Sequence, residues 1–101
     1  MGYLLNTTFV LHTSVEAGFI TWVREVYLPA AAEAGVFGVS RVAKVLTQVE
    51  PDTVSIAVQL EATSIEEASR WHDNTAALLR DDLHAQWGDR LMFFTTYMEV
   101  L

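Results

Sequence analysis

Residues 37–61 read FGVSRVAKVLTQVEPDTVSIAVQLE. This stretch decides the fold. Residues 37–49 are rich in β-branched side chains and predict a long strand. "EPDT" follows, with Pro51 and Asp52 at favoured turn positions. Residues 53–61 then alternate, Val54, Ile56, Val58 and Leu60 against Ser55, Ala57, Gln59 and Glu61. Two such strands about a tight turn make a hairpin.

Working outward, each side of the hairpin carries one helix and one further strand. Upstream, residues 3–11 alternate Tyr3, Leu5, Thr7, Phe9 and Leu11 against Leu4, Asn6, Thr8 and Val10. "TSVE" then offers a capping box, Thr13 with Glu16. At ~100° per residue, Val15, Phe19, Trp22, Val23, Val26 and Ala30 form the apolar stripe of a helix. Pro29 predicts that this helix ends near Tyr27, with a further short turn before Gly35. Downstream, Ser64 and Glu67 form a second capping box, opening one helix that Gly88 closes. Residues 91–100 form the last strand. The order is β-α-β-β-α-β. Right-handed crossovers then give a ferredoxin-like α+β sandwich, a four-stranded antiparallel sheet with two helices on one face. Residues 1–101 make a single domain.

Six basic against thirteen acidic residues leave a net charge of −7. Binding to nucleic acid or to an anionic membrane needs the opposite balance. There is no cysteine, so disulfides, thiolate nucleophiles and thiolate metal sites are absent. The N-terminal segment reads as a strand rather than a signal peptide, and no apolar run reaches the ~20 residues of a membrane span. A cytoplasmic protein is expected.

The last strand is apolar on both faces: Leu91, Phe93 and Tyr97 on one, Met92, Phe94, Met98 and Val100 on the other. Helices cover only one face of such a sheet. The second face predicts a homodimer packed through Met92, Phe94 and Met98. Asn6, Thr8, Ser55 and Gln59 share the parity away from the helices, facing solvent or the inside of a dimeric barrel.

Residues 70–87, RWHDNTAALLRDDLHAQW, hold two of the three histidines. Their spacing of twelve residues puts His72 and His84 about 120° apart on a helix, so they cannot share a metal. The wheel puts Ile65, Ala68, His72, Ala76, Leu79, Leu83 and Trp87 on one stripe. It leaves Trp71 off that stripe, Asp81 and Asp82 pointing outward beside Arg80, and His84 solvated. His12 reads as a loop residue. His72 is then a buried imidazole with a pKa below its ordinary value. It is either a structural histidine satisfied by a carbonyl or a tyrosine, or a polar group facing a pocket. The candidate ligand-binding residues are His72, Trp22, Tyr27 and Trp87. No serine or cysteine triad, phosphate-binding glycine loop or paired carboxylates occur. No catalytic residue is assigned, and no metal or cofactor is expected.

"FITWVREVYLPAAAEAGVF", "VSIAVQL" and "WGDRLMFFTTYMEVL" resemble a small bacterial family of unknown function. The most specific features are the Leu28–Pro29–Gly35–Phe37 pattern and an ending carried by Gly88, Asp89, Phe94, Thr96, Glu99 and Val100. The resemblance implies a ferredoxin-like fold of the dimeric α/β-barrel type. That family usually has a histidine two positions before the proline, where this chain has Tyr27.

These observations favour a small dimeric module without catalysis, binding a partner or a small apolar or aromatic molecule. The alternative is an enzyme similar to the cofactor-free or haem-degrading monooxygenases of this barrel type. For that, Asn6, Trp71 and His72 or His84 are residues of the right kinds, though the wheel sets Trp71 and His84 on nearly opposite faces.

Overall fold

The computed structural model describes residues 2–47 and 50–101. Strand β1 (Tyr3–His12) lies inside a four-stranded antiparallel sheet ordered β2-β3-β1-β4, with β2 at Phe37–Lys44, β3 at Thr53–Ala62 and β4 at Leu91–Glu99. The first crossover runs through α1 (Glu16–Trp22), a π-helical turn (Val23–Tyr27) and α2 (Leu28–Ala34); the second comprises α3 (Ile65–Asp73) and α4 (Thr75–Trp87). This is the ferredoxin-like α+β architecture that the βαββαβ order predicts.

Alternation in the strands carries through to burial. Leu5, Phe9 and Leu11 of β1 and Val54, Ile56, Val58 and Leu60 of β3 all face the helices and are buried. The register joins Phe9 to Ile56 and Phe93, and Thr7 to Val58 and Thr95. A threonine pair therefore crosses an otherwise apolar floor. Phe9 sits at its centre, in ring contact with Phe19, Trp22, Tyr27 and Phe93.

Several local expectations are corrected. Thr13 does not cap α1. Residues Thr13–Val15 form a 3₁₀ turn, and the His12 ring caps it by accepting from the Ser14 N–H at 3.1 Å. Glu16 instead accepts from Lys44 at 2.9 Å. Strand β2 is shorter than expected and ends at Lys44, although the Val45 N–H still donates to the Ser55 carbonyl. Gln48 and Val49, included in the expected strand, lie outside the described residues.

The first crossover also passes through Pro29 without stopping. The Leu28 N–H donates to the Val23 carbonyl, five residues back. This widened turn delivers Pro29 to the first turn of α2, where a missing N–H costs nothing. It also re-phases the helix. Val15, Phe19, Val23, Tyr27 and Ala31 are buried at a spacing of four, so Tyr27 is 0% exposed and Val26 is 38% exposed. Gly35, at φ 73°, closes the segment in the left-handed region.

In the second crossover, Ser64 caps α3 as expected, accepting from the Glu67 N–H at 3.2 Å. The single helix expected up to Gly88 is interrupted at Asn74, whose backbone is distorted to φ −110°, ψ −76° and whose Nδ2 donates to the Arg70 carbonyl at 2.9 Å. Trp71 is buried rather than on a flank, edge-on to both Tyr27 and Phe37. Among the described residues, no helix is long and apolar enough to cross a membrane.

Candidate ligand pocket

The polar threonine pair on the floor of the core needs partners, and the two halves of the second crossover supply them. Helix α3 lowers His72 onto β4, where the imidazole is 6% exposed and its Nε2 lies 2.8 Å from Thr95 Oγ1. The break at Asn74 lets α4 return Arg80 to the same place. Arg80 Nη1 lies 3.1 Å from His72 Nδ1, and Nη2 donates to the His72 carbonyl at 2.9 Å. That carbonyl belongs to the last turn of α3, so the guanidinium also caps a helix end.

Donor logic fixes the tautomer. Arginine only donates, so His72 Nδ1 accepts, and the neutral ring carries its proton on Nε2 and donates to Thr95. Burial, with the nearby Arg80 charge second, lowers the His72 pKa to about 4; Asp73 opposes the shift weakly. Near neutral pH the ring is uncharged and both nitrogens are occupied.

The Arg80 guanidinium lies over the Phe93 ring, 4.6 Å from its centroid. Burial lowers its pKa, while Tyr27, Asp73, Asp81 and Tyr97 act against this. Behind it, burial raises the pKa of the Tyr27 phenol, offset in part by the neighbouring Thr7 hydroxyl and then by Arg80. Tyr27 Oη, Thr7 Oγ1 and Trp71 Nε1 are buried with no hydrogen-bond partner among the described residues.

Beside this network, between α4 and the start of β4, lies a pocket of about 440 Å³. Phe9, Leu83, Leu91 and Phe93 form its apolar wall, Ala77 lies on α4, and Arg80, Asp81 and His84 supply its polar groups. A groove of about 420 Å³ at the hairpin end is bordered by Val45, Leu46 and Thr47, next to the undescribed residues.

Of the residues expected to bind ligand, His72 enters the network that fixes Arg80. The Tyr27 and Trp22 rings lie 5.4 Å apart, tilted by 43°, behind Phe9. Trp87 sits elsewhere, against Gly18, where an added Cβ would come within 2.9 Å of the indole. None of these four lines the pocket itself. The residues that sequence reasoning missed are Arg80, Phe93 and Thr95. The helical wheel sets Arg80 beside the outward-pointing Asp81 and Asp82, yet it is half-buried. One signal was available: Thr95 is polar at a core parity of a greasy strand. His84 remains exposed but borders the pocket, and His12 is the cap of the 3₁₀ turn.

On the far side of the sheet, Met92 is 64% and Phe94 53% exposed, and Met98 is half-buried. Their register partners Val10, Thr8 and Leu4 share that uncovered face. Asn6 lies there too, donating through Nδ2 to Thr8 Oγ1 at 3.2 Å.

The family model for the domain of unknown function DUF4286 matches residues 2–101. The chain belongs to the DUF4286 family. No curated protein matches this family member. Solved structures do. An ethyl tert-butyl ether D family protein from Bacillus halodurans superposes with a TM-score of 0.68 at 10% identity, over all of both chains. HapK from Hahella chejuensis gives 0.70 at 11% identity, over all of this chain and 93% of its own. A dimeric ferredoxin-like protein from an uncultured marine organism gives 0.67 at 14% identity, over 97% and 94% of the two chains. At these identities the likeness is one of fold.

Proposed function

We propose that this DUF4286 protein is a homodimeric, non-catalytic module that binds a small molecule in the pocket between α4 and β4. The observation that carries the reading is the pocket itself. Its apolar wall stands beside a guanidinium held by three contacts, to His72 Nδ1, the His72 carbonyl and the Phe93 ring. A mostly apolar cleft with a few fixed polar groups is the usual form of a small-molecule site. His72 serves by positioning Arg80, and Trp22 and Tyr27 support the wall from behind through Phe9. The monooxygenase-like alternative has less support, because both His72 nitrogens are already engaged, by Arg80 and Thr95.

Met92, Phe94 and Met98 give the sheet a face suited to a second copy, and two of the similar folds are described as dimeric. Met92 also borders the pocket, so the proposed interface adjoins its mouth. A thermal-shift screen with small aromatic compounds tests the binding role. A true ligand at 100 times its Kd adds about 2.7 kcal/mol of stability. The reading predicts a hit that Ala77→Trp removes; hits unaffected by that change would count against it.

A further inference from the structure

We infer that the pocket takes an organic anion, with Arg80 gripping a carboxylate and the Phe9, Leu83, Leu91 and Phe93 wall holding an apolar body of aromatic size. The inference deepens the binding-module reading and rests on it.

A guanidinium has five N–H donors. In Arg80, Nη1 and Nη2 are used on neutral acceptors, the ring Nδ1 and the carbonyl of His72. Donors therefore remain. Among the described residues no carboxylate forms an ion pair with Arg80, and the ion pair present is Lys44 with Glu16. A half-buried cation without a counter-ion is costly, and an arriving anion relieves that cost. Asp81 borders the pocket and Asp73 lies near, but neither reaches ion-pair distance.

The geometry is also prepared in advance. His72, itself anchored on Thr95, and the Phe93 ring hold the guanidinium plane. A planar fork fixed in this way suits a carboxylate better than a rotating ammonium would. Apart from Asp81 and His84, the lining beyond Arg80 is apolar, so the ligand's body must be apolar and its carboxylate must lie on Arg80 rather than beside Asp81. Its size is bounded by about 440 Å³.

The test compares naphthalene-2-carboxylate with naphthalene-2-carboxamide, which share a shape and differ in charge. Each is titrated into the full chain near neutral pH and followed by heteronuclear NMR. The acid should bind about tenfold tighter or better, as expected of a charge-assisted hydrogen bond. It should shift the Arg80 Nε–Hε signal and the Leu83 and Leu91 methyls. Arg80→Met should abolish the preference, so that acid and amide bind alike. Arg80 also caps α3, so Ala77→Trp serves as a second variant, filling the pocket while keeping the Arg80 bonds; it should remove both ligands. Equal binding of acid and amide at these methyls would overturn the anion inference and leave the pocket reading standing. No shift with either compound, or acid binding that survives Ala77→Trp, would overturn both.

Discussion

His72 concentrates the polar chemistry of this chain. Its pKa is lowered from 6.5 to about 4 in the folded protein. The unfolded chain therefore takes up a proton that the folded one refuses. Stability is fully present above about pH 6.5, falls as pH drops through the interval down to about 4, and levels off below it. The loss attributable to this one group is at most about 3 kcal/mol. Urea denaturation across that interval should show the slope, and His72→Leu should flatten it. The same variant orphans Arg80 and Thr95, so near neutral pH it should cost about 1–3 kcal/mol. A wild-type His72 resonance titrating near 6.5 would contradict the account. Tyr27 gives the opposite expectation. Among the described residues its buried hydroxyl has no hydrogen-bond partner at bonding geometry, with the Thr7 hydroxyl as its polar neighbour. Tyr27→Phe should be neutral or stabilising by up to about 1 kcal/mol in thermal unfolding, and a loss greater than that would mean the phenol holds a partner. The burial of His72 was legible in the sequence, from its place between Ala68 and Ala76. Arg80 was not. A helical wheel assigns direction from the Cα, whereas a long side chain folds back along apolar surface and carries its charge to a distant acceptor.

At the scale of elements, strands were easier to read than helices. Alternation has a period of two, and one misplaced residue would turn a whole strand inside out, so β1 and β3 declare their faces plainly. Helical phase is less robust. The i→i−5 bonding of Val23–Tyr27 rotates everything after it, and no residue type marks the site except Pro29 downstream. Val26 and Tyr27 thus exchange the places that a 3.6-residue period gives them. Two substitutions check this by chemical denaturation. Val26→Asn should change stability by less than about 0.5 kcal/mol. Tyr27→Ala should cost roughly 3–5 kcal/mol, as large aromatic truncations in cores do. The reverse ranking would restore an uninterrupted α-helix. The break at Asn74 was hidden for a related reason. Asn is only mildly unfavourable within a helix, and the stripe Ala68, His72, Ala76 passes across the break without losing phase.

For the whole molecule, the sheet has one face covered by helices and one left open, and β4 is apolar on both. The sequence already showed this, because two right-handed βαβ crossovers put both helices on the same face of the sheet. What it could not show is how the open face meets the pocket, since Met92 borders both and their adjacency depends on the β1–β4 register. Large exposed apolar patches mark interfaces, and a buried charge there is expensive. Phe94→Glu should therefore separate the protomers while the helix-side core stays intact by circular dichroism. The most direct test of the dimeric reading is sedimentation velocity of the unmodified chain at micromolar concentration. The account predicts one species of twice the 11.3 kDa chain mass, reduced to 11.3 kDa by Phe94→Glu. A wild-type chain sedimenting at 11.3 kDa would contradict it.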